Sequence, residues 1–535
     1  MHFFKKKETF IKNEIVRRPK KDRADILLVY PIWVKKGGRG KLQRMLPPLG
    51  ILSLASYLEE SGFEVHILDL HAEEISPEEF RQILRDLNPR FLGITVLSAH
   101  LVPANYIAHI AHEEIDDIKV IVGGVHAESE PEQMLKNPSI DAVCRGDGEE
   151  VLLEFVNGIP WSDILGLSFR SPERNDMIIH NSPRGVEDNL DKYPYPAYHL
   201  INFDNYFPPV ASYRDLPAMN VLMTRGCPGK CTFCNSANTI LRGRSVDKMV
   251  DMIKKLRYDY GIRQIYFYDD TFTSNPAIVK EFCLKMIEEE VDVKWICYAR
   301  GDMFRETIAE LMSKAGCHQI LIGIESGSEK LMKDIGKSIK KKLYLKVVEI
   351  AHRHNIEVRG SVIVGHLDET IETMEETLKF GIDLDLDFFQ INIMTPYPGT
   401  QLYREAKAKG LIIHDEYERY GQNEVILRLN NIDPKEVLKF EKSSFYKFFF
   451  RPKVIYRQLL RLANWNHVKD LFKVFYVFVI EGYTTHKSGG KHLENWLDYE
   501  MEEFEINEIT LPTLPRLTWE SRQDPVFYDE VGSNK

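Results

Sequence analysis

The sequence predicts an α/β protein in which two parallel β-sheets follow each other along the chain, with a helical region after them. Residues 25–145 contain five strand-like runs that alternate with helical patterns, and residues 216–400 contain six more. Because parallel strands are joined by crossover helices, this alternation indicates parallel sheets rather than hairpins. The length of 535 residues suits about three to four domains.

The first sheet is expected to be open and doubly wound, with a flavodoxin-like (Rossmann-like) strand order. Its predicted strands are Asp25–Tyr30, Glu64–Asp69, Phe91–Val96, Lys119–Gly123 and Asp141–Cys144. Residues 47–60 have the pattern of an amphipathic helix whose start is marked by prolines. Such sheets bind ligands beyond the carboxyl ends of their strands. No G-x-G-x-x-G motif follows the first strand, so a nicotinamide or flavin site is not indicated.

The second set of patterns repeats a strand and a helix six times. The predicted strands are Asn220–Thr224, Gln264–Tyr268, Lys294–Tyr298, Gln319–Gly323, Val358–Val364 and Asp387–Ile393. The chain is thus expected to divide into a basic lead-in (1–24), an N-terminal α/β domain (25–155), a proline-rich connector (156–215), a second α/β domain (216–410) and a helical C-terminal lid with an acidic tail (411–535).

Three cysteines after the first strand of the second domain carry the clearest chemical signal. Cys227, Cys231 and Cys234 have the spacing C-x-x-x-C-x-x-C on a loop that contains glycine and proline. Three thiolates can hold three irons of a [4Fe–4S] cube, whereas structural zinc sites and closed clusters take four ligands. The loop therefore predicts a cluster with one iron open to a substrate or cofactor.

Zinc binding and disulfide formation explain this cysteine pattern less well. No histidine lies between His199 and His318, and the next cysteine, Cys283, lies in an apolar helical stretch, so a zinc site lacks its fourth ligand. Seven cysteines in 535 residues are too few for a disulfide framework. The cysteines outside the loop are expected to be core thiols: Cys144, Cys283, Cys297 and Cys317.

The cysteine loop, with Phe233 just before its last cysteine, resembles the signature of the radical S-adenosylmethionine (SAM) enzymes. This resemblance implies that the second domain is a partial (β/α)6 barrel with its chemistry at the carboxyl ends of the strands. It also implies that the open iron binds SAM. The residues that the resemblance places around the cluster and SAM are Phe233, Asp270 of an F-x-D-D-x-F element, Arg300 after the third strand, Glu325 in Gly-Ile-Glu-Ser-Gly and Ser361 in the fifth strand, whose backbone flanks the adenine in relatives.

The N-terminal domain resembles the cobalamin (B12)-binding domains that precede some radical SAM barrels. Residues 95–97 stand where these domains have S-x-L, and Gly123 and Gly124 form the glycine pair that follows. Residues 145–149, Arg-Gly-Asp-Gly-Glu, resemble their R-G-E-G-E turn. Adjacent glycines let the backbone approach a bulky nucleotide tail closely. The resemblance thus implies cobalamin contacts at Thr95, Leu97, Gly123 and Gly124.

One motif of these domains is absent from the chain. Residues 30–33 after the first strand read Tyr-Pro-Ile-Trp, where relatives with a histidine ligand to cobalt have D-x-H-x-x-G. His71 in Asp-Leu-His follows the second strand and lacks the glycine, so we do not expect it to bind cobalt. The lower face of the cobalt is expected to carry no histidine.

Taken together, the resemblance implies a cobalamin-dependent radical SAM enzyme. The implied reaction is methylation of an unactivated carbon, in which a 5′-deoxyadenosyl radical abstracts hydrogen and methylcobalamin delivers the methyl group. The implied cofactors are a [4Fe–4S] cluster, SAM and cobalamin, and the protein positions them and excludes water. A non-methylating oxidoreductase, such as a porphyrin-ring cyclase, uses the same motifs and stays open, as does a non-enzymatic corrinoid- or metal-binding protein.

The charge and composition of the chain indicate which kinds of partner and which cellular location to expect. A net charge of −10 and a pI near 6.0 argue against nucleic acid. We expect a small-molecule substrate, for which the aromatic C-terminal region hints at an apolar or planar shape, and an electron donor such as flavodoxin or ferredoxin. Residues 440–473 carry eight Lys or Arg against two acids; a helical lid over the barrel is expected there rather than peripheral membrane contact. The first residues lack the apolar stretch of a signal peptide, so a cytoplasmic location is expected.

Overall fold

Two parallel sheets with crossover helices form the body of the protein. The computed structural model describes residues 15, 17–32, 46–209, 212–337, 339–414, 416–422 and 424–461. Most of the predicted lead-in, Trp33, and the whole of 462–535 with the acidic tail lie outside the described residues. No helix within the described ranges is long and apolar enough to cross a membrane.

The first sheet has seven strands. They are β1 (Ile26–Tyr30), β2 (Val65–Asp69), β3 (Phe91–Thr95), β4 (Lys119–Gly123), β5 (Ala142–Cys144), β6 (Leu167–Ser171) and β7 (Met177–His180). The order is β2-β1-β3-β4-β5-β6-β7, and the first five strands are parallel. The order of the five predicted strands is flavodoxin-like, which confirms the expected class.

Helices pack on both faces of this sheet. They are α1 (Leu49–Glu60), α2 (Pro77–Leu87), α3 (Leu101–Glu114), α4 (Val125–Ser129), α5 (Pro131–Met134) and α6 (Gly148–Val156). The start of α2 shows how the sequence sets these ends. Ser76 accepts from the backbone N–H of Glu79, whose side chain accepts from the backbone N–H of Ser76, and Pro77 needs no partner for a missing N–H.

The connector contributes two strands that the sequence analysis did not predict. β6 and β7 continue the first sheet in antiparallel fashion beyond the short strand β5. The rest of the connector packs between the two domains. The hydroxyl of Tyr198 donates to the carbonyl of Asn220, and that of Tyr206 donates to Asp69. One apolar core therefore runs from the first sheet through Ile201 and Tyr206 into the second domain.

The second sheet has six parallel strands, in agreement with the predicted (β/α)6 architecture. This sheet and a separate two-stranded ribbon comprise, in chain order, the strands β8 (Ala218–Val221), β9 (Thr224–Arg225), β10 (Arg242–Gly243), β11 (Gln264–Phe267), β12 (Lys294–Ala299), β13 (Cys317–Glu325), β14 (Glu357–Val364) and β15 (Phe388–Ile393). The parallel order is β8-β11-β12-β13-β14-β15, and β9 pairs with β10 in the separate antiparallel ribbon.

Helices follow the strands of the second sheet in the expected rhythm. They are α7 (Val246–Tyr258), α8 (Pro276–Glu288), α9 (Glu306–Lys314), α10 (Glu329–Asp334), α11 (Lys341–Arg353), α12 (Ile371–Asp383), α13 (Gln401–Ala408), α14 (Pro434–Phe449) and α15 (Pro452–Arg461). The helical character expected after residue 411 is present in α14 and α15. Phe448 in α14 stacks on Phe389 in β15, so this helix packs against the last barrel strand.

Candidate functional site

The cysteine loop leaves the carboxyl end of β8 and is enclosed by the ribbon of β9 and β10. At its start, Gly226 has a φ of +96°, and a Cβ there would lie 2.1 Å from the carbonyl oxygen of Ile240. Only glycine fits this turn. The backbone N–H of Cys227 donates to Thr239 Oγ1 at 2.9 Å, so the far end of the loop folds back onto the first cysteine.

The three thiols of the loop lie close enough to affect one another's pKa. All three are free and half-buried. Burial raises the pKa of Cys234 to about 11, and the thiols of Cys231 and Cys227 add to this shift. The backbone N–H of Gly229 donates to Cys227 Sγ at 3.4 Å, a contact suited to a thiolate.

The thiols fit a cluster better than a single ion. Within the described residues, no three His, Cys, Asp or Glu side chains are placed to hold one metal ion. In a [4Fe–4S] cube each thiolate binds a different iron, so its ligands stand further apart than those around one zinc. Three thiols on a loop, with cationic side chains nearby, match the donor set that a cluster with one open iron needs.

Asp269 anchors the entry to the loop, a role that the sequence analysis missed. It follows β11, is fully buried, and accepts from the backbone N–H of Thr224 at 2.6 Å, from its hydroxyl at 2.6 Å and from the N–H of Met223 at 3.2 Å. Burial raises the pKa of Asp269 to about 6, against the opposing effect of these donors. The predicted site residue Asp270 accepts from the N–H of Gly226 at 3.2 Å. The two adjacent acids thus both hold the loop.

Glu325 lies beside the cluster loop in a buried ion pair. Its Oε1 accepts from Lys337 Nζ at 2.6 Å, and Glu325 itself has a φ of +65°, which is uncommon for a residue with a side chain. Burial works against the charge of Lys337, but Glu325 outweighs it and raises the pKa of Lys337. Burial raises the pKa of Cys231, and Lys337 lowers it. Lys337 was not predicted, because it follows a helix rather than a strand.

The segment that carries Lys337 is packed directly on the cysteine loop. The backbone N–H of Thr232 donates to the carbonyl of Ile335 at 3.0 Å. Gly336 has a φ of +73°, and a Cβ there would lie 2.2 Å from the carbonyl oxygen of Lys230. The close backbone contact therefore requires glycine and brings the ammonium group of Lys337 to the thiols.

The remaining predicted SAM residues lie around the same strand ends. Arg300 Nε donates to Asp302 Oδ1 at 2.8 Å. The positive charge of Arg300 lowers the pKa of Cys231, as that of Lys337 does. Ser361 lies beside Gly323 in the β13–β14 register and accepts from Asn392 Nδ2 at 2.9 Å. Phe233 packs on the edge of the apolar core.

The four predicted cobalamin residues come together at the carboxyl edge of the first sheet. Thr95 pairs with Gly123 across β3 and β4, and half-buried Leu97 follows them. Gly124 has a φ of +95°, and a Cβ there would lie 3.0 Å from the carbonyl oxygen of Val96. The backbone itself thus requires glycine at position 124. We call Gly123 and Gly124, at the carboxyl end of β4, the glycine edge. Because Gly124 and Val125 are exposed, the glycine edge is open to a large ligand, as a cobalamin tail requires.

A cluster of three side chains lies at the same edge of the sheet. The ring of Tyr30, at the end of β1, meets the ring of buried His100 at 5.0 Å between centroids. Burial lowers the pKa of His100 to about 3, and His71 contributes to that shift. His71 thus lies near the ends of β1 and β3, although it follows β2. That it does not bind cobalt stays a prediction.

Two family models match the chain. The model of the radical SAM superfamily matches residues 221–381, and that of the B12 binding domain matches residues 36–156. The first range contains the three cysteines with Asp270, Arg300, Glu325 and Ser361. The second contains the glycine pair.

Three relatives align with most of the chain. An uncharacterized methyltransferase of Pyrococcus horikoshii is 33% identical over 80% of this chain and 94% of its own. Cytidylyl-2-hydroxyethylphosphonate methyltransferase of Streptomyces wedmorensis is 27% identical over 71% and 81%. Anaerobic magnesium-protoporphyrin IX monomethyl ester cyclase of Rubrivivax gelatinosus is 26% identical over 79% and 77%.

A solved structure shares the arrangement of the two domains. That of OxsB, a cobalamin-dependent S-adenosylmethionine radical enzyme with aqua-cobalamin and S-adenosylmethionine bound, superposes with a TM-score of 0.65 at 16% identity. It covers 89% of this chain and 79% of its own. At this identity the likeness shows a common fold.

Proposed function

The chain belongs to the radical SAM superfamily and to its members with a B12-binding domain, and from this premise we propose that it is a C-methyltransferase that acts on a small molecule. As an enzyme of this family it uses a [4Fe–4S] cluster, SAM and cobalamin. One observation carries the use of two cofactors together: the cysteine loop and the glycine edge lie at the carboxyl ends of two sheets within one continuous protein body. Two of the three relatives described above are methyltransferases by name.

Each group of residues has a distinct task in this proposal. Cys227, Cys231 and Cys234 hold the cluster. Glu325 and Lys337 offer one negative and one positive charge next to the iron that has no cysteine ligand. This pair of charges is complementary to the ammonium and carboxylate of the methionine part of SAM. When bound, the cluster supplies an electron for cleavage of SAM and cobalamin supplies the methyl group. The protein orients these groups and excludes water.

Tyr268 of the second domain lies close to Tyr298 and to Tyr30 of the first domain. Tyr268 and Tyr298, at the ends of β11 and β12, expose 40% and 42% of their surface. Burial nevertheless raises the pKa of Tyr268, and Tyr298 and Tyr30 raise it further. Tyr268 and Tyr298 thus keep surface that a substrate can contact. We place the substrate there, and the three rings suit an apolar or planar molecule.

A cyclase that does not transfer methyl is the second candidate. The Rubrivivax gelatinosus cyclase aligns with 79% of the chain, and the two methyltransferases align with 80% and 71% of it. The cysteine loop and the glycine edge serve both reactions equally. Either activity needs electrons that are delivered one at a time. We therefore include in the proposal a small electron-transfer protein of the flavodoxin or ferredoxin type as the donor. We also propose that the enzyme acts in the cytoplasm.

Anaerobic reconstitution with iron, sulfide, cobalamin and SAM tests the function. Mass spectrometry of candidate metabolites is expected to show a gain of one methylene, together with 5′-deoxyadenosine and S-adenosylhomocysteine. Formation of 5′-deoxyadenosine with a substrate that loses hydrogen and gains no carbon would support the cyclase instead. A protein that binds cobalamin and never cleaves SAM would contradict both.

SAM binding is expected to depend on Glu325 and Arg300. Glu325→Ala and Arg300→Ala should keep the cluster and weaken SAM binding at least about tenfold, roughly 1.4 kcal/mol. Because Glu325→Ala leaves Lys337 buried without its partner, a second variant with Lys337→Met as well removes that penalty. SAM binding by this double variant should stay weak. Equilibrium dialysis of the reconstituted proteins measures the affinity.

The matched control for SAM binding is Glu310→Ala. Glu310 pairs with Lys314 on the outer helix α9 and is exposed, so its removal should leave SAM affinity unchanged. Wild-type affinity in both the Glu325 and the Arg300 variants would assign these residues to structure alone.

Cobalamin binding is expected to depend on Gly123. A Cβ at this position meets only Cys144, at 3.5 Å, an ordinary contact that the fold accepts. The branched side chain of Gly123→Val would extend toward the open edge and displace the cobalamin tail, so bound cobalamin should fall at least about tenfold while the cluster persists. Gly124→Val is a poorer test because its Cβ strains the backbone of the domain itself.

The variant His71→Ala tests whether this histidine binds cobalt. This variant should bind cobalamin as the wild type does, since no histidine ligand is expected. Electron paramagnetic resonance of the cob(II)alamin form decides the point. A nitrogen splitting that is present in the wild type and lost in His71→Ala would show that His71 binds cobalt.

A further inference from the structure

A turn of the B12-binding domain reaches across to the ribbon that carries the cysteine loop. The turn, residues 145–149, joins β5 to α6. Glu149 Oε1 accepts from Arg225 Nη2 at 2.6 Å, and Asp147 Oδ1 lies 3.5 Å from Arg225 Nη1. The other oxygen of Asp147 pairs with Arg242. Arg225 stands two residues before Cys227, and Arg242 faces it across the ribbon.

Three of the four charged side chains in this group are largely protected from solvent. The side chain of Glu149 is 3% exposed, that of Arg242 10% and that of Arg225 19%. Burial opposes the charge of Arg225, yet Glu149 and Asp147 outweigh it and raise the pKa of Arg225. The two arginines face each other in the ribbon and would repel each other without the acids between them. The ribbon therefore depends on the other domain for its charge balance.

The turn also touches the glycine edge at its other end. Cys144 directly precedes the turn, and its Cβ would lie 3.5 Å from a Cβ placed on Gly123. A short and continuous set of contacts thus leads from the glycine edge, through the turn and Arg225, to the cysteine loop. The connector supports the same ribbon, because Arg244 donates to the carbonyl of Tyr193 at 2.6 Å.

We infer that Asp147 and Glu149 are positioning residues that fix the cysteine loop relative to the B12-binding domain and so set the spacing and orientation of the two cofactors. This inference rests on the proposed function, because it takes the cysteine loop as the cluster site and the glycine edge as the cobalamin site. It adds that neither domain alone holds its cofactor in the working position. The ion cluster joins the two domains two residues before the first cysteine of the loop.

The reconstituted full-length protein allows a direct test with Glu149→Gln. Glutamine keeps the size of the side chain and removes its charge, so the arginines lose half of their compensation. The matched control is Glu154→Gln, which lies on the same helix α6 and pairs with Arg184, away from the ribbon. The magnetic coupling between reduced cluster and cob(II)alamin, measured by electron paramagnetic resonance, reports the distance and angle between the cofactors. Loss of iron to a chelator reports how firmly the loop is held.

The expected result is specific to the ribbon. Glu149→Gln should release iron at least about tenfold faster than the wild type and should alter or broaden the coupling, with Glu154→Gln unchanged in both. Exchange of the charges in Glu149→Arg with Arg225→Glu should restore part of the wild-type coupling. Wild-type coupling and iron release in Glu149→Gln would overturn the inference, as would equal changes in Glu149→Gln and Glu154→Gln. A wild-type protein that takes up no cluster or no cobalamin would instead overturn the proposed function.

Discussion

Replacing any one of Cys227, Cys231 and Cys234 by alanine is expected to abolish both the iron–sulfur absorbance and SAM cleavage. In the proposed cluster each thiolate is the sole protein ligand of one iron, so the loss of one would leave two open irons and a cube that does not survive. Iron and sulfide content after anaerobic reconstitution and the amount of 5′-deoxyadenosine formed measure the effect. Both should fall at least about a hundredfold.

The controls are cysteines that pack in the core. Cys283 in α8 and Cys317 in β13 are buried away from the loop, so their alanine variants should keep full iron content and SAM cleavage. Their expected cost is that of a small cavity, about 1 kcal/mol of unfolding free energy. Full iron content in a single loop variant would refute the assignment of the cluster to this loop.

The regular parts of the fold were predictable from the sequence because they depend on local patterns. Strands such as β1 and β4 are buried on both faces and read as short apolar runs, and the helices between them show their own periodicity. Right-handed crossovers between such repeats reduce the possible strand orders to a few. The cysteine loop was equally visible, since its ligands lie within eight consecutive residues.

Contacts between segments that are far apart in the chain were not predictable. Strands β6 and β7 lie in a segment with prolines and charges, and they form only because the edge of β5 is available to them. Lys337 reaches the thiols through a glycine contact between two loops. The pairing of Glu149 with Arg225 joins residues 76 positions apart. No periodicity of the sequence encodes such contacts.

Two different physical reasons can require glycine in the pair Gly123 and Gly124. The room that a cobalamin tail needs is one reason for glycine at Gly123 and Gly124. The structure adds that Gly124 is required by its own positive φ and by the nearby carbonyl of Val96, with or without a ligand. Gly123 has no such requirement, which is why it gives the sharper test of cobalamin binding.

Asp269→Ala is expected to release the cluster through the loop rather than through its ligands. The substitution leaves the N–H groups of Met223 and Thr224 and the hydroxyl of Thr224 without their buried acceptor, at about 1–3 kcal/mol for each group. We expect iron to be lost to a chelator at least about tenfold faster, while all three cysteines remain. Asp292→Ala, in an exposed loop, is the control and should behave as the wild type.

The pH dependence of Asp269 separates its role in the loop from its effect on global stability. Burial raises its pKa from 3.8 to about 6, so the folded state holds the proton more firmly than the unfolded state does. The contribution of Asp269 to the unfolding free energy therefore falls as the pH rises from about 4 to about 6, and it is constant above that range. The ionised carboxylate is nevertheless the better acceptor for the three donors of the loop.

Comparison of the wild type with Asp269→Asn tests this separation, because asparagine stays neutral at every pH. The advantage of the wild type in retaining iron should be largest above pH 6 and should shrink as the pH falls through about 6. The difference between the two proteins in unfolding free energy should move the other way and favour the wild type more at pH 5 than at pH 7. Chelator kinetics and denaturant unfolding across this range measure the two trends. A constant iron-retention ratio from pH 5 to pH 8 would show that the charge of Asp269 does not anchor the loop.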